Sequence, residues 1–297
     1  MVRVTRFAPS PTGPLHLGHA HAALFAWRAA AAVPAGRFLL RIEDIDPGRC
    51  RPAFDSALRD DLAWLGLTWD EPVRRQSQNI ADYRAAIDRL LELGALYPCF
   101  CTRSRIAAEI ARAGHAPHGP DGLLYPGICR ALSRRERAGR LARGDGFAWR
   151  LDVAAALART GPLRWHDQAR GWQEARPQAL GDVVLARKDT PTSYHLSVTI
   201  DDHRQGVTLV TRGEDLFFAT HLHRLLQALL GLAEPRWHHH SLLRNPQGQR
   251  LAKRDGATSL RFLREAGHGP AAVRAMAGFP DGEAFSTAAS TGASVNA

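Results

Sequence analysis

Blocks of apolar and polar positions along the chain spell an α/β protein. Val2, Val4, Phe7 and Ala8 mark a short opening strand, and Pro9, Pro11, Gly13 and Pro14 force a turn after it. A helix is predicted from about Leu17 toward Ala32, ended by Pro34 and Gly36. Phe38 to Ile42, apolar but for Arg41, reads as a strand of the buried, parallel-sheet kind, and it leads into the acidic turn Glu43-Asp44-Ile45-Asp46. The opening segment therefore reads as a βαβ unit.

Helical patterns follow at Pro52 to Gly66 and Asn79 to Leu93. The second carries Ile80, Tyr83, Ile87, Leu90 and Leu91 on one face, with Gly94 as its stop. From Tyr97 to about Gly181 the texture changes to cysteines, Gly- and Pro-rich loops and an Arg-dense helical piece from Ser133 to Arg143, which reads as an insertion. Regular patterning returns with Asp182 to Ala186, Val207 to Thr211 and an amphipathic helix over Phe217 to Leu230. Trp237-His238-His239-His240 reads as a strand with alternate side chains facing in and out, in preference to a metal-binding tract. The predicted division is 1–96 and 182–245 as the two halves of one α/β domain, 97–181 as the insertion, 246–282 as a basic loop and helical piece, and 283–297 as a disordered Ala- and Ser-rich tail.

Composition narrows the class. The 297 residues are 45% hydrophobic, enough for a full core, and no segment stays apolar long enough to serve as a secretory leader or to span a bilayer, so a cytoplasmic protein is expected. A net charge of +10 points to a polyanionic partner, because Lys and Arg neutralise phosphates and release condensed counterions. Arginine dominates so strongly that Lys188 and Lys253 are the sole lysines. The four cysteines are too few and too clustered for a secreted disulfide scaffold.

Candidate chemistry begins where the first strand runs into Arg6-Phe7-Ala8-Pro9-Ser10-Pro11-Thr12-Gly13-Pro14-Leu15-His16-Leu17-Gly18-His19. Two imidazoles three apart at a helix start share a face, and the exposed N–H groups and dipole of that end attract phosphate, a geometry suited to a nucleotide. Gly18 lets an adenine or ribose approach the backbone. Cys99, Cys101 and Cys129 are three thiols spaced as in a tetrahedral structural zinc site, with one position open; His115 and His118 are chemically easy fourth ligands. Cys50 stands apart as an ordinary metal-free cysteine.

These motifs resemble the class I aminoacyl-tRNA synthetases, and among them the glutamyl branch. His16-Leu17-Gly18-His19 has the form of their His-x-Gly-His signature, Arg6 to Gly13 matches the glutamyl Arg-Phe-Ala-Pro-Ser-Pro-Thr-Gly without a gap, and Arg41-Ile42-Glu43-Asp44 matches the glutamyl Arg-Ile-Glu-Asp. Arg250-Leu251-Ala252-Lys253-Arg254 is similar to their Lys-Met-Ser-Lys-Ser loop, with Arg250 and Ala252 departing from it and Lys253 keeping the ATP-contacting place. The resemblance implies a Rossmann-type catalytic core with a parallel sheet, an inserted zinc-containing subdomain and a short helical C-terminal piece.

By the same resemblance, His16, Gly18, His19 and Lys253 contact ATP, with His16, His19 and Lys253 catalytic. Arg6, Phe7, Ala8, Pro9, Ser10, Glu43, Tyr194 and Arg212 then line the glutamate site. A substrate with two carboxylates needs cations in a fork geometry, which Arg6 and Arg212 offer, while Glu43 suits its ammonium; a salt bridge from Arg212 to Glu214 or Asp215 is the structural alternative. Tyr125 becomes the fourth ligand of one structural Zn²⁺ beside Cys99, Cys101 and Cys129. The layout, with no anticodon-reading module after the lysine loop, is similar to the glutamyl-queuosine tRNA(Asp) synthetases. It implies glutamate, ATP with Mg²⁺ and queuosine-bearing tRNA(Asp) as partners, and a monomer. The alternatives are a minimal enzyme charging tRNA(Glu) and a non-catalytic tRNA-binding paralogue.

Overall fold

The βαβ unit at the start forms as the pattern predicts. In the computed structural model of the chain, which describes residues 2–112, 118–120, 122–187, 190–244 and 259–281, β1 (Val4–Phe7) leads through α1 (Leu17–Ala31) to β2 (Arg37–Ile42), parallel to β1. Small residues let α1 lie close on this sheet: Ala20, Ala23, Ala26, Ala29 and Ala30 are all buried. Then come α2 (Pro52–Trp64), which opens on a proline where no N–H is needed, β3 (Asp70–Arg75), parallel to β2, and α3 (Ile80–Glu92), whose Tyr83, Ala86, Ile87 and Leu90 are buried.

The next stretch is the one expected as an insertion. It holds β4 (Leu96–Cys99), α4 (Arg103–Arg112), the short pair β5 (His118–Gly119) and β6 (Gly122–Leu123), α5 (Arg134–Ala142), β7 (Ala148–Leu151) and α6 (Val153–Thr160). Helix α5 starts on a capping box between Ser133 and Glu136 and buries none of its residues. Its arginines lie over aromatic rings instead: Arg137 over Tyr97 and Arg140 over Phe100.

Next, β8 (Arg164–Asp167) and β9 (Gly171–Glu174) form a hairpin, followed by β10 (Val184–Arg187), α7 (Tyr194–Arg204), β11 (Leu209–Gly213), α8 (Phe217–Leu230), β12 (Arg236–His240), α9 (Leu260–Glu265) and α10 (Pro270–Met276). Strands β4, β7 and β10 make one antiparallel sheet, and a second sheet has the order β11-β12-β8-β9. In the latter, β11, β12 and β8 are parallel. The two parallel sheets meet at β1 and β11, where the Thr208 amide donates to the Val4 carbonyl at 3.0 Å.

Two expectations change here. Residues 164–174, grouped with the insertion, pair with β12 and so belong to the sheet of the second half; four-residue strands among arginines and glycines carry no alternation to reveal this. The histidines of β12 do not alternate between core and solvent. His238, His239 and His240 are all buried, because neighbours on both edges and packing on both faces enclose the strand.

A buried charge cluster ties α7 to the first sheet. Asp202 accepts from Arg6 Nε at 2.9 Å and Arg41 Nη1 at 2.8 Å, while Asp201 accepts from Arg74 Nε at 2.7 Å, Gln76 Nε2 at 2.9 Å and the Tyr83 hydroxyl at 3.0 Å. Arg41 is wholly buried and also pairs with Glu43 at 3.2 Å. Among the described residues no helix is long and apolar enough to cross a membrane.

Candidate active site

A cleft of about 290 Å³ opens where the ends of β1, β2 and β11 face the start of α1. Of the residues predicted for the site, Arg6, Phe7, Ala8, His16, Gly18, His19, Glu43, Tyr194 and Arg212 line it. Pro9 and Ser10 do not; the Pro9 carbonyl instead accepts from the Glu43 amide at 3.0 Å, which fixes the strand end carrying Glu43. Lys253, with Arg250 and Ala252, lies outside the described residues. The chain that follows them returns at Ser259, which is bridged to His16, and the Leu260 amide donates to the Leu15 carbonyl at 2.9 Å.

His16 caps α1 by accepting from the Gly18 amide at Nδ1 (3.1 Å), and the His19 Nδ1 accepts from the His16 amide at 3.2 Å. Each ring therefore carries its proton on Nε2. The two rings stack with centroids 3.9 Å apart. At Gly18 a Cβ would stand 3.0 Å from His16 Cε1, so the close turn of the first imidazole over the backbone favours glycine.

The amino-acid end of the cleft holds two arginines. Arg6 spends Nε and one Nη2 hydrogen on Asp202 and one Nη1 hydrogen on the Thr211 carbonyl, leaving one N–H on each Nη. Its fork is thus half committed to the protein, which the motif alone does not show. Arg212, only 6% exposed, donates from Nε to His239 at 3.2 Å, from Nη1 to His223 at 3.1 Å and from Nη2 to Thr220. It forms no ion pair with any carboxylate among the described residues, and the alternative pairing with Glu214 is not made: Glu214 pairs with Arg170 and Arg244.

Burial lowers the Arg212 pKa, with Arg6 adding repulsion and Tyr194 and Asp202 countering it. Burial also raises Glu43, against the pull of Arg41 and Arg6. At Gly213 a Cβ would meet Asp215 Oδ1 at 2.5 Å and Leu242 at 2.7 Å, so the backbone beyond Arg212 passes where no side chain fits.

Several residues of this site escaped the motifs: Asp202 behind Arg6, and Thr220, His223 and His239 around Arg212. Their signal is weak, since each is far from its partner in sequence and none forms a fixed spacing with it.

A second constellation lies in the insertion. The sulfurs of Cys99, Cys101 and Cys129 are within 4.8 Å of one another, with Cys101 to Cys129 at 3.4 Å. The Tyr125 hydroxyl is 3.4 Å from Cys99 and 3.6 Å from Cys101. Tetrahedral zinc with bonds of about 2.3 Å to sulfur and 2.0 Å to oxygen separates its ligands by about 3.8 Å (S···S) and 3.5 Å (S···O). The two contacts of Tyr125 match that spacing, and the three cysteines can hold a metal ion.

Without a metal, burial pushes Cys101 up to about 11 and raises Tyr125 as well. Burial also opposes the Cys99 thiolate, but Tyr125, the Cys101 amide and Arg150 outweigh it and hold Cys99 below its ordinary value. His115 is outside the described residues, and Cys50 stands apart from the cluster.

Comparisons with known proteins agree with this geometry. Residues 1–279 match the profile of "tRNA synthetases class I (E and Q), catalytic domain". A Rhodobacter capsulatus protein named glutamyl-Q tRNA(Asp) synthetase is 52% identical over 93% of this chain and 99% of its own length. A Syntrophus aciditrophicus glutamate–tRNA ligase is 36% identical over 90% of this chain but only 55% of its own length. The crystal structure of a glutamate tRNA ligase from Elizabethkingia meningosepticum in complex with its amino acid superposes with a TM-score of 0.77 at 29% identity, over 93% of this chain and 60% of that one.

Proposed function

The chain belongs to the glutamate- and glutamine-type class I tRNA synthetases, with residues 1–279 matching their catalytic domain, and on that footing we propose that it activates glutamate with ATP and passes it to the queuosine of tRNA(Asp). The observation that carries this reading is a pair of arginines on one cleft, each with N–H donors to spare and one without a carboxylate partner. An amino acid with two carboxylates supplies an anion for the remaining donors of each arginine, and Glu43 faces the same space to take the ammonium.

The chemistry needs no protein nucleophile. A carboxylate oxygen of glutamate attacks the α-phosphorus of ATP in line, and the bond to pyrophosphate breaks. His16 and His19 donate from Nε2 to the phosphate oxygens at the positive end of α1, with Mg²⁺ accompanying the nucleotide. Lys253 is assigned to the departing pyrophosphate. In the second step a hydroxyl of the queuosine cyclopentenediol attacks the adenylate carbonyl, the ester forms and AMP leaves.

Queuosine as acceptor rests on relatives so named that match over nearly their whole length, and the excess of +10 charge suits a tRNA. Cys99, Cys101, Tyr125 and Cys129 are assigned one structural Zn²⁺, and the protein is read as a cytoplasmic monomer. The test is transfer of labelled glutamate to tRNA(Asp) with queuosine, the same tRNA without it, and tRNA(Glu). Label on the queuosine-bearing RNA alone is expected. Label on tRNA(Glu), lost when its 3′ terminus is oxidised, would make the chain a minimal charging enzyme and overturn the proposal.

A further inference from the structure

Behind Arg212 lies a line of buried groups to which no role has yet been given. Asp167, the last residue of β8, accepts from His239 Nδ1 at 2.6 Å and from the His239 amide at 3.1 Å through Oδ2. Its Oδ1 accepts from the amides of Ala169 and Arg170 at 2.8 and 3.0 Å. Both side chains of the Asp167–His239 pair are fully buried. On the other side of the ring, His239 Nε2 meets Arg212 Nε at 3.2 Å and Thr220 Oγ1 at 3.0 Å. His223 continues the line, with Nδ1 at 3.1 Å from Arg212 and Nε2 at 3.2 Å from His195 Nδ1.

Donor chemistry fixes every proton here. A guanidinium has donors and no acceptor, so His239 Nε2 and His223 Nδ1 must both accept. The His239 proton then sits on Nδ1, aimed at Asp167, and the His223 proton on Nε2, aimed at His195. Arg212 is thus gripped at three points by neutral acceptors. These contacts orient the guanidinium without an ion pair, which leaves its charge to whatever enters the cleft.

From this arrangement we infer that Asp167 and His239 are positioning residues for substrate binding: by pinning one imidazole tautomer, Asp167 keeps an acceptor at Arg212 and holds the guanidinium where it takes a substrate carboxylate. The inference rests on the proposed activation of glutamate and extends it to residues outside the cleft.

The informative variant is Asp167→Asn, which keeps the shape and the Oδ1 contacts to Ala169 and Arg170 but replaces Oδ2, the acceptor of both His239 Nδ1 and the His239 main-chain amide, by a donor. Its amide donates toward His239 Nδ1, moves the ring proton to Nε2 and sets two donors against each other at Arg212. Glutamate-dependent ATP–pyrophosphate exchange in this variant is expected to show a glutamate KM raised about tenfold or more, with kcat and the KM for ATP within about threefold, because a ground-state contact is lost. His239→Gln places an amide oxygen before Arg212 without any tautomer. Added to Asp167→Asn, it is expected to lower the glutamate KM well below that of Asp167→Asn alone, a rescue that neither general loss of packing nor the lost main-chain bond at position 239, which stays unmade in both, would give.

Nitrogen NMR of the histidines reads the tautomer directly: the proton is expected on Nδ1 of His239 in wild type and on Nε2 in Asp167→Asn. An unchanged glutamate KM in Asp167→Asn, or an Nε2 proton on His239 in wild type, overturns the inference. Wild-type protein with no glutamate-dependent exchange overturns the proposed function, and the nitrogen spectra then still decide whether the tautomer is pinned.

Discussion

Lowering the pH from about 7.5 to about 5.5 should unfold this protein far more readily than its net charge suggests. Burial holds His195 and His239 down to about 4, with the Arg212 charge adding to it, and holds His240 down to about 3. The unfolded chain takes up a proton at each near pH 6.5, whereas the folded chain resists until about pH 4, so the stability these groups confer is complete above pH 6.5 and is lost as pH falls toward 4. At pH 5.5 each unfolded histidine gains RT ln(1 + 10), or about 1.4 kcal/mol, and the three together remove about 4 kcal/mol from a total typically between about 5 and 15. Asp61, raised to about 6 by burial, works in the opposite direction and offsets part of the loss. Urea unfolding followed by tryptophan fluorescence at the two pH values measures the difference. His240→Gln, which removes one of these groups, should shrink it by about 1.4 kcal/mol. Equal midpoints at both pH values, or a higher midpoint at pH 5.5, would refute the reasoning.

Two further outcomes follow from the buried clusters. Asp202→Asn leaves Arg6 and Arg41 without their shared carboxylate and should cost about 3–5 kcal/mol in urea unfolding, a loss well above that of a surface Asp→Asn control such as Asp60→Asn; equal losses would count against the cluster. Zinc is expected at about one ion per chain, and either a strong chelator or Cys129→Ser should remove it and lower the melting temperature, with unchanged metal content and melting temperature as the contrary result.

What the sequence disclosed depended on the length and regularity of each signal. The βαβ start was legible because Phe38 to Ile42 is apolar but for Arg41 and Pro34 follows shortly after the helix before it. Helix α3 was legible from one apolar face, and α5 as the Arg-dense helical piece that begins at Ser133. The β8–β9 hairpin was not, because its strands are four residues long and its partner β12 lies far along the chain. In β12, three consecutive histidines look like a polar strand, and only the closure of the sheet on both sides buries them all.

The candidate site divided in the same way. Its cleft-lining residues sit in contiguous motifs, so Arg6, His16, His19 and Glu43 could be picked out together. Their supports could not: Asp202 reaches Arg6 across 196 positions and Asp167 reaches His239 across 72, and neither distance leaves a local trace. That is why Arg6 looked like a free fork for the substrate when half of it is held by the protein.

The central claim is that the cleft takes glutamate through Arg212 and activates it. The most direct measurement is ATP–pyrophosphate exchange with glutamate in the absence of tRNA, comparing wild type with Arg212→Gln. Two charge-assisted hydrogen bonds of about 1.5–3 kcal/mol each imply a fall in kcat/KM for glutamate of at least about a hundredfold in the variant, with the fold intact. Exchange in wild type that collapses in Arg212→Gln is the predicted result. Wild-type protein that exchanges equally well with or without glutamate, or a variant as active as wild type, would contradict the account.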